Sequence, residues 1–368
     1  MMDFSISSTP RWPSRLSLEG LCGQINEKRR DLSLLENIPR NHTGYTCVQC
    51  IGLDITPFPE NQSISYYGGH DDPETDLTAR CLMLMDAILK TVQSKRIDDA
   101  AHTLKVFMAP EFFFRGASGC YEAAALERIM STMRKFTAHP YFSNWLFVHG
   151  TAVGSYTVDN QQGKTILNTA LVQRGGEETG NQGSWVTYKE HLSPIDFNGY
   201  KKTQGSMQAF LGGNDPELFQ NISSARPSNF ESEQNNGING GAIIALDNLR
   251  IGIEICLDHK HDRLTSICAK PKSTKFDEQG LDIQLLISAG AELPLYGLAT
   301  KENGVAFSVD AYRGSSVIVN HKLVKTSHKS SINFNRSLNG KDEVKRFMNI
   351  KAGAKVSTFP AIDRSINC

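Results

Sequence analysis

The sequence predicts an α/β domain, on three observations. From Tyr45 onward, strand-like apolar runs alternate with runs whose apolar residues recur at helical spacing, the pattern of strands joined by crossover helices. At 368 residues the chain is long enough to bury one large core. Hydrophobic residues make up 39% and charged residues 21%, a globular balance rather than a disordered or fibrous one. Lys plus Arg and Asp plus Glu number 39 each, so the formal charge is zero. That balance excludes an overall basic coat for nucleic acid and an acidic solvating tail. The longest apolar runs, such as 241–246, are far too short to span a bilayer.

Residues 1–44 read as an N-terminal leader or extension with one or two short helices. They lack the apolar stretch and small-residue cleavage site of a secretory signal. Eight scattered cysteines without framework spacing suit free thiols in a reducing, cytoplasmic compartment. The acid-free, Ser- and Arg-rich run from Ser5 to Ser17 leaves a delivery signal open. Cys47 and Cys50 have CxxC spacing, but no second CxxC or HxxxH completes a zinc site, so they read as small buried hydrophobes.

The chain then reads as strand 45–53, helix 75–96, strand 103–109, helix 121–137, and strands 145–154, 166–174 and 184–190. In helix 75–96, Leu77, Cys81, Leu84, Met85, Ile88 and Val92 fall on one wide apolar stripe. Residues 205–240, rich in Gly, Asn, Ser and Pro, read as an inserted loop that lids or walls a pocket. Strands resume at 241–247 and 249–256, followed by a helix from about 260, a strand at 282–288, a helix at 296–303, and strands at 305–310 and 314–320. Residues 321–368 read as a basic extension, with nine Lys and Arg against Asp342 and Glu343 over 321–355. Aromatic residues are sparse there, so a solvated or subunit-packing face fits better than nucleic-acid binding. No GxxxxGK[ST] and no GxGxxG after a strand is present, which argues against a nucleotide-phosphate cradle.

Three polar residues close apolar strands, and strand ends are where sites assemble in α/β sheets. Glu111 lies between Pro110 and Phe112–Phe114. Desolvation there raises a carboxyl pKa and suits a general base; the alternative is a surface glutamate at a strand terminus. Lys189 ends Trp185–Tyr188 and reads either as a fixed cation for an oxyanion or as an edge-strand lysine reaching solvent. Cys256 follows the apolar run 251–255 and precedes a turn into a helix. It reads either as an inert buried thiol or as a nucleophile on a strand-to-helix elbow, its pKa lowered by a lysine and a helix N-terminus.

The three in order, with Lys189 78 residues after Glu111 and Cys256 67 after Lys189, resemble the carbon–nitrogen hydrolase (nitrilase) superfamily. Pro110-Glu111-Phe112 resembles its glutamate motif, and Lys189-Glu190-His191-Leu192 its K-x-H-L lysine motif. Gly252 to Asp258, with Cys256-Leu257-Asp258, resembles its cysteine motif, and Ala299 to Asn303 its A-x-x-E-N stretch. The resemblance covers about residues 45–320 and implies a four-layer α-β-β-α sandwich with pseudo-twofold halves, working without cofactor or metal. It also implies that Cys256 attacks an amide, carbamoyl or nitrile carbon while Glu111 moves the proton. Lys189 and the Leu257 N–H then hold the oxyanion, and ammonia or an amine leaves a thioester. Phe112, His191 and Asp196 are the neighbouring candidates for positioning the substrate. The substrate it implies is a small-molecule amide or amide-bearing peptide, with neither nucleic acid nor membrane as partner, and the assembly a homodimer.

The sequence departs from the family pattern in two places. Gly205 stands where a second glutamate is frequent, leaving Asp196, Glu190 or Glu217 to substitute. His259-Lys260-His261 follows the cysteine motif, and its histidines read as substrate contacts or exposed helix-start residues. Asp258 and Arg263 read as a pair beside the elbow. Nitrile hydrolysis, acyl transfer, a Cys–His thiol hydrolase using His191 or His259 as base, and a catalytically silent binding protein are the competing readings.

Overall fold

The computed structural model describes residues 16, 18–40, 43–58, 68–122, 124–157, 164–176, 183–191, 196, 200–203, 206–210, 219–222, 241–269 and 280–365. In chain order the elements begin with α1 (Leu18–Ser33), β1 (Cys47–Ile55), α2 (Pro73–Gln93), β2 (Thr103–Met108), β3 (Tyr121–Glu122), α3 (Ala124–Thr137) and β4 (Trp145–Thr157). Next come β5 (Lys164–Arg174), β6 (Ser184–Tyr188), β7 (Tyr200–Thr203), β8 (Ser206–Phe210), β9 (Phe219–Ile222), β10 (Ile243–Leu246) and β11 (Leu249–Ile255). The remainder is α4 (Leu257–Lys260), α5 (Arg263–Ala269), β12 (Leu281–Ser288), β13 (Thr300–Asp310), β14 (Gly314–Val319), β15 (Lys322–Val324), β16 (His328–Ile332), α6 (Lys341–Phe347) and β17 (Ala354–Asp363).

Two large sheets result, with strand orders β16-β17-β1-β2-β4-β5-β6 and β10-β11-β12-β13-β14-β15. Each has a parallel centre, β1-β2-β4 in one and β11-β12-β13 in the other. Parallel strands covered on both faces read as unbroken apolar runs, and every residue of β2 and β12 is buried. One apolar cluster joins the sheets face to face, with Val48, Val106 and Val148 meeting Ile253, Leu285 and Phe307. A second packs α1, α2, α3 and α6 on the outer face of the first sheet. A third sets Leu264 and Ile267 of α5 against Ile243 and Leu281 of the second. Where Gly52 of β1 meets β14 of the second sheet, an added Cβ would lie 1.8 Å from Ser315 Oγ and 2.7 Å from Ser315 Cβ, so a side chain there would force the sheets apart.

The tertiary structure overrides several sequence expectations. Within the stretch expected to be a loop, β8 and β9 join β7 in a small antiparallel sheet, and the rest of 211–240 lies outside the described residues. The helix expected at 296–303 is absent. Thr300 onward extends as β13, with Asn303 left-handed (φ 57°) and locked to Asn320 by two hydrogen bonds of 2.7 and 2.9 Å. Sheet pairing to β12 and β14 supplies what a helix of that composition could not. The segment read as a C-terminal extension supplies β16, α6 and β17, and β17 pairs antiparallel with β1 inside the first sheet. Its apolar residues were masked by charge: Phe334, Val344 and Phe347 are buried, while Lys345, Arg346 and Arg336 face Asp342, Glu343 and Glu27. The N-terminal region likewise joins the core through Leu21, Ile25 and Leu32 of α1. No helix among the described residues is long and apolar enough to cross a membrane.

Candidate active site

The carboxyl ends of β2 and β11 face each other across the two sheets, and Glu111 and Cys256 follow those ends. Beyond β2 the chain passes so close to Gly150 that a Cβ there would lie 2.5 Å from Pro110 O. Phe112 then turns left-handed (φ 62°), and its N–H donates to Thr151 Oγ1 at 2.9 Å. Arg80 of α2 braces the same turn from behind, donating to Phe113 O at 2.7 Å while its Nε holds Asp76 at 2.8 Å. These constraints leave Glu111 fully buried.

Lys189 follows β6, and its backbone N–H donates to Asn168 O at 2.8 Å. Its ammonium is buried, 2.9 Å from Glu111 Oε1 and 2.8 and 3.0 Å from the two oxygens of Asp196. Asn168 of β5 donates through Nδ2 to Glu111 Oε1 (2.9 Å) and Asp196 Oδ1 (3.1 Å). A buried lysine between two carboxylates, with an amide tying them together, meets the requirement that buried charges be paired and hydrogen-bonded. Glu111 Oε2 accepts no hydrogen bond within the protein, so half of the carboxylate is directed to something else.

Cys256 is the nearest candidate. Its thiol and the Glu111 carboxyl influence each other's ionisation, and the residue is buried with φ 49° and ψ −102°. A non-glycine residue rarely takes that conformation, which is sustained by its N–H donating to Ile287 O at 2.9 Å and its carbonyl accepting from His259 N–H at 3.1 Å. The bend presents the thiol at the strand end in the manner of a nucleophile elbow.

Electrostatics assign distinct resting states. Burial raises the Glu111 carboxyl above its ordinary range; Lys189 pulls it down and Asp196 pushes it up. Burial opposes the Lys189 charge, but Asp196, Glu111 and the Cys256 thiolate together hold its pKa above normal. Burial and the Glu111 charge push the Cys256 thiol up, against the pull of Lys189 and an Ala289 backbone hydrogen bond. This corrects the sequence expectation of a lowered thiol pKa. Two carboxylates oppose one ammonium, and α4 is a single turn, so the thiol rests protonated beside a base.

Asp258 joins the elbow to the Lys189 strand. It accepts the Glu190 N–H (3.0 Å), the His191 N–H (2.7 Å), His191 Nδ1 (3.0 Å) and Arg263 NH1 (3.1 Å). Arg263 also donates to Tyr188 O at 2.6 Å, realising the expected Asp258–Arg263 pair. His191 is thereby committed to this clamp, with its ring stacked on His261 at 4.2 Å. His259 is not exposed: it is buried with Nδ1 2.7 Å from Glu254 Oε2. Of the substitute carboxylates, Asp196 sits on Lys189, Glu190 lies 3.4 Å from Arg263, and Glu217 lies outside the described residues with Gly205. Phe112 forms a wall, with Arg115 stacked over its ring at 4.4 Å and Phe58 edge-on at 6.3 Å. Leu257 opens α4 directly after the thiol.

Asn168 and Arg115 escaped sequence reasoning. Asn168 lies mid-strand in an apolar run, a polar residue at a core-facing position that signals a buried partner. Arg115 ends the aromatic run after Glu111, and its guanidinium donates to the Asp196 backbone carbonyl.

No family model and no curated protein sequence matches the chain. Among solved structures, it is similar to a cysteine-to-alanine mutant of an amidase from the nitrilase superfamily of Nesterenkonia, at 12% identity over 88% of this chain and 93% of that one, with TM-score 0.41. It is also similar to a CN-hydrolase superfamily protein from Xanthomonas campestris with an arsenic adduct in its active site, at 13% identity over 75% and 84%, with TM-score 0.34. A glutamine-dependent NAD+ synthetase from Acinetobacter baumannii matches at 10% identity over 75% and 43%, with TM-score 0.36.

Proposed function

We propose that this chain is a cysteine-dependent carbon–nitrogen hydrolase that cleaves a non-peptide C–N bond of an amide and releases ammonia or an amine. We read its layers as the α-β-β-α sandwich of the nitrilase type. The observation that carries the proposal is the buried Glu111–Lys189–Cys256 cluster, with one Glu111 oxygen bound to Lys189 and the other without a partner.

In this reading Glu111 takes the Cys256 proton as sulfur attacks the amide carbon. The carbonyl electron pair moves to oxygen, where Lys189 and the Leu257 N–H stabilise it. The Glu111 proton then passes to the leaving nitrogen, the C–N bond breaks, and a thioester remains. Water, deprotonated by Glu111, attacks the thioester and returns the thiol. Asp196 and Asn168 hold the ammonium and the carboxylate in place, and Asp196 fills the charge of the glutamate missing at Gly205. The Cys–His alternative loses ground, because the side chains acting most strongly on the Cys256 thiol are Glu111, Lys189 and Asp196, with no histidine among them. The substrate is a small amide or amide-bearing peptide and the assembly a homodimer, which light scattering tests directly.

The deciding experiment is ammonia release by the purified chain over primary amides, carbamoyl compounds, nitriles and Gln- or Asn-containing peptides. Release from an amide, lost in Cys256→Ala and Glu111→Gln, is expected. Full activity in either variant overturns the assignment.

A further inference from the structure

Asp310 closes β13, two strands from the Cys256 elbow, and is buried. Each of its oxygens accepts two hydrogen bonds. Oδ1 takes the Tyr312 and Arg313 N–H groups at 2.9 and 3.0 Å, and Oδ2 takes Ser288 Oγ at 2.8 Å and the Gly290 N–H at 2.5 Å. The second pair straddles Ala289. Arg313 adds a bond from NH1 to Gly290 O at 3.2 Å, and the Ala311 N–H donates to Ser288 O at 2.9 Å. The 288–290 turn is thus fastened on both sides of one residue, with Gly290 left-handed at φ 113°. That turn abuts the thiol: Ile255 pairs with Ile287, and the Cys256 N–H donates to Ile287 O. Ala289, held between the tethered Ser288 and Gly290, is the backbone donor that pulls the Cys256 thiol down.

We propose that Asp310 is a positioning residue for the Cys256 nucleophile, fixing the 288–290 turn so that the Ala289 N–H points at sulfur and supports the thiolate as it forms. This rests on the reading of Cys256 as the nucleophile. Around the thiol, Glu111 and Asp196 disfavour negative sulfur and Lys189 favours it, so a neutral donor adds support without further charge. Asp310 acts through geometry rather than charge, and the two roles have opposite signs. Removing a negative charge near a thiol eases its ionisation, whereas releasing the Ala289 N–H hinders it.

The test is the rate of Cys256 alkylation by iodoacetamide as a function of pH, read on the Cys256 peptide by mass spectrometry in the full chain. Asp310→Ala is expected to slow alkylation about tenfold at fixed pH, the scale of one hydrogen bond to a charged group. Ser288→Ala removes one tether with no change of charge and is expected to slow it less, in the same direction, with a near-native thermal midpoint. Faster alkylation in Asp310→Ala, or an unchanged rate in a folded Ser288→Ala, overturns the inference. This readout needs no substrate. Loss of the catalytic reading would show separately, as turnover surviving in Cys256→Ala, and would leave Asp310 positioning a thiol that is not the nucleophile even if the thiol responds as expected.

Discussion

At the scale of single residues, the site depends on one buried ammonium balancing two buried carboxylates. Lys189→Ala leaves Glu111 and Asp196 without compensation, and breaking such a buried pair costs about 3–5 kcal/mol. In the proposed mechanism the same variant also loses an oxyanion donor, so kcat is expected to fall by about 10²–10³, measured beside the thermal midpoint to separate the two effects. In the proposed mechanism Glu111 must be ionised to accept the thiol proton, and its pKa is raised. Activity is therefore present above that raised value and lost as pH falls through it, which places the acid limb of kcat/KM above the ordinary carboxylate range. Asp196→Asn removes a charge that raises Glu111, so the acid limb is expected to move to lower pH in a kcat/KM profile. An unmoved limb would detach Asp196 from the base.

Among the elements, the elbow, the Lys189 strand and α5 form one mechanical unit because Asp258, two residues beyond the thiol, accepts bonds from Glu190 and His191 beyond β6 and from Arg263 of α5. Burial alone would raise its pKa, yet His191, Arg263 and the two backbone N–H groups outweigh burial and hold it below the ordinary value. A depressed carboxyl contributes stability that is full above its unfolded pKa and lost as pH falls through the folded one. Asp258→Ala is expected to lower both the thermal midpoint and turnover, and to flatten the loss of stability on acidification seen in the parent. The parallel strands were legible from their apolar runs, and so were the positions of Glu111 and Cys256 just beyond β2 and β11 and of Lys189 just beyond the antiparallel β6. Strand ends mark themselves by the switch from apolar to polar residues. Asn168 carried no such signal, because its importance comes from β5 lying across from Lys189, a nonlocal pairing. The expected helix at 296–303 failed for the same reason, since β12 and β14 decide the conformation of β13.

For the whole molecule, charge disguised structure. The basic residues of 321–355 lie over a segment that completes the first sheet, with β17 between β16 and β1. Removing residues 321–368 exposes the full edge of β1 and is expected to abolish cooperative unfolding, whereas a detachable extension would leave the melting curve intact. A milder test is Phe359→Ala, which empties a buried position packed edge-on against Phe307 between the sheets and is expected to cost about 3–5 kcal/mol in chemical denaturation. Two strand ends from opposite sheets bring Glu111 and Cys256 together, and in the proposed mechanism this pair forms an acyl-enzyme. Intact-mass and peptide mass spectrometry on the chain turning over an amide tests it most directly. An adduct on Cys256 equal to the substrate minus ammonia or amine, absent in Cys256→Ala, is expected. Turnover of an amide with no such adduct, and undiminished in Cys256→Ala, would contradict it.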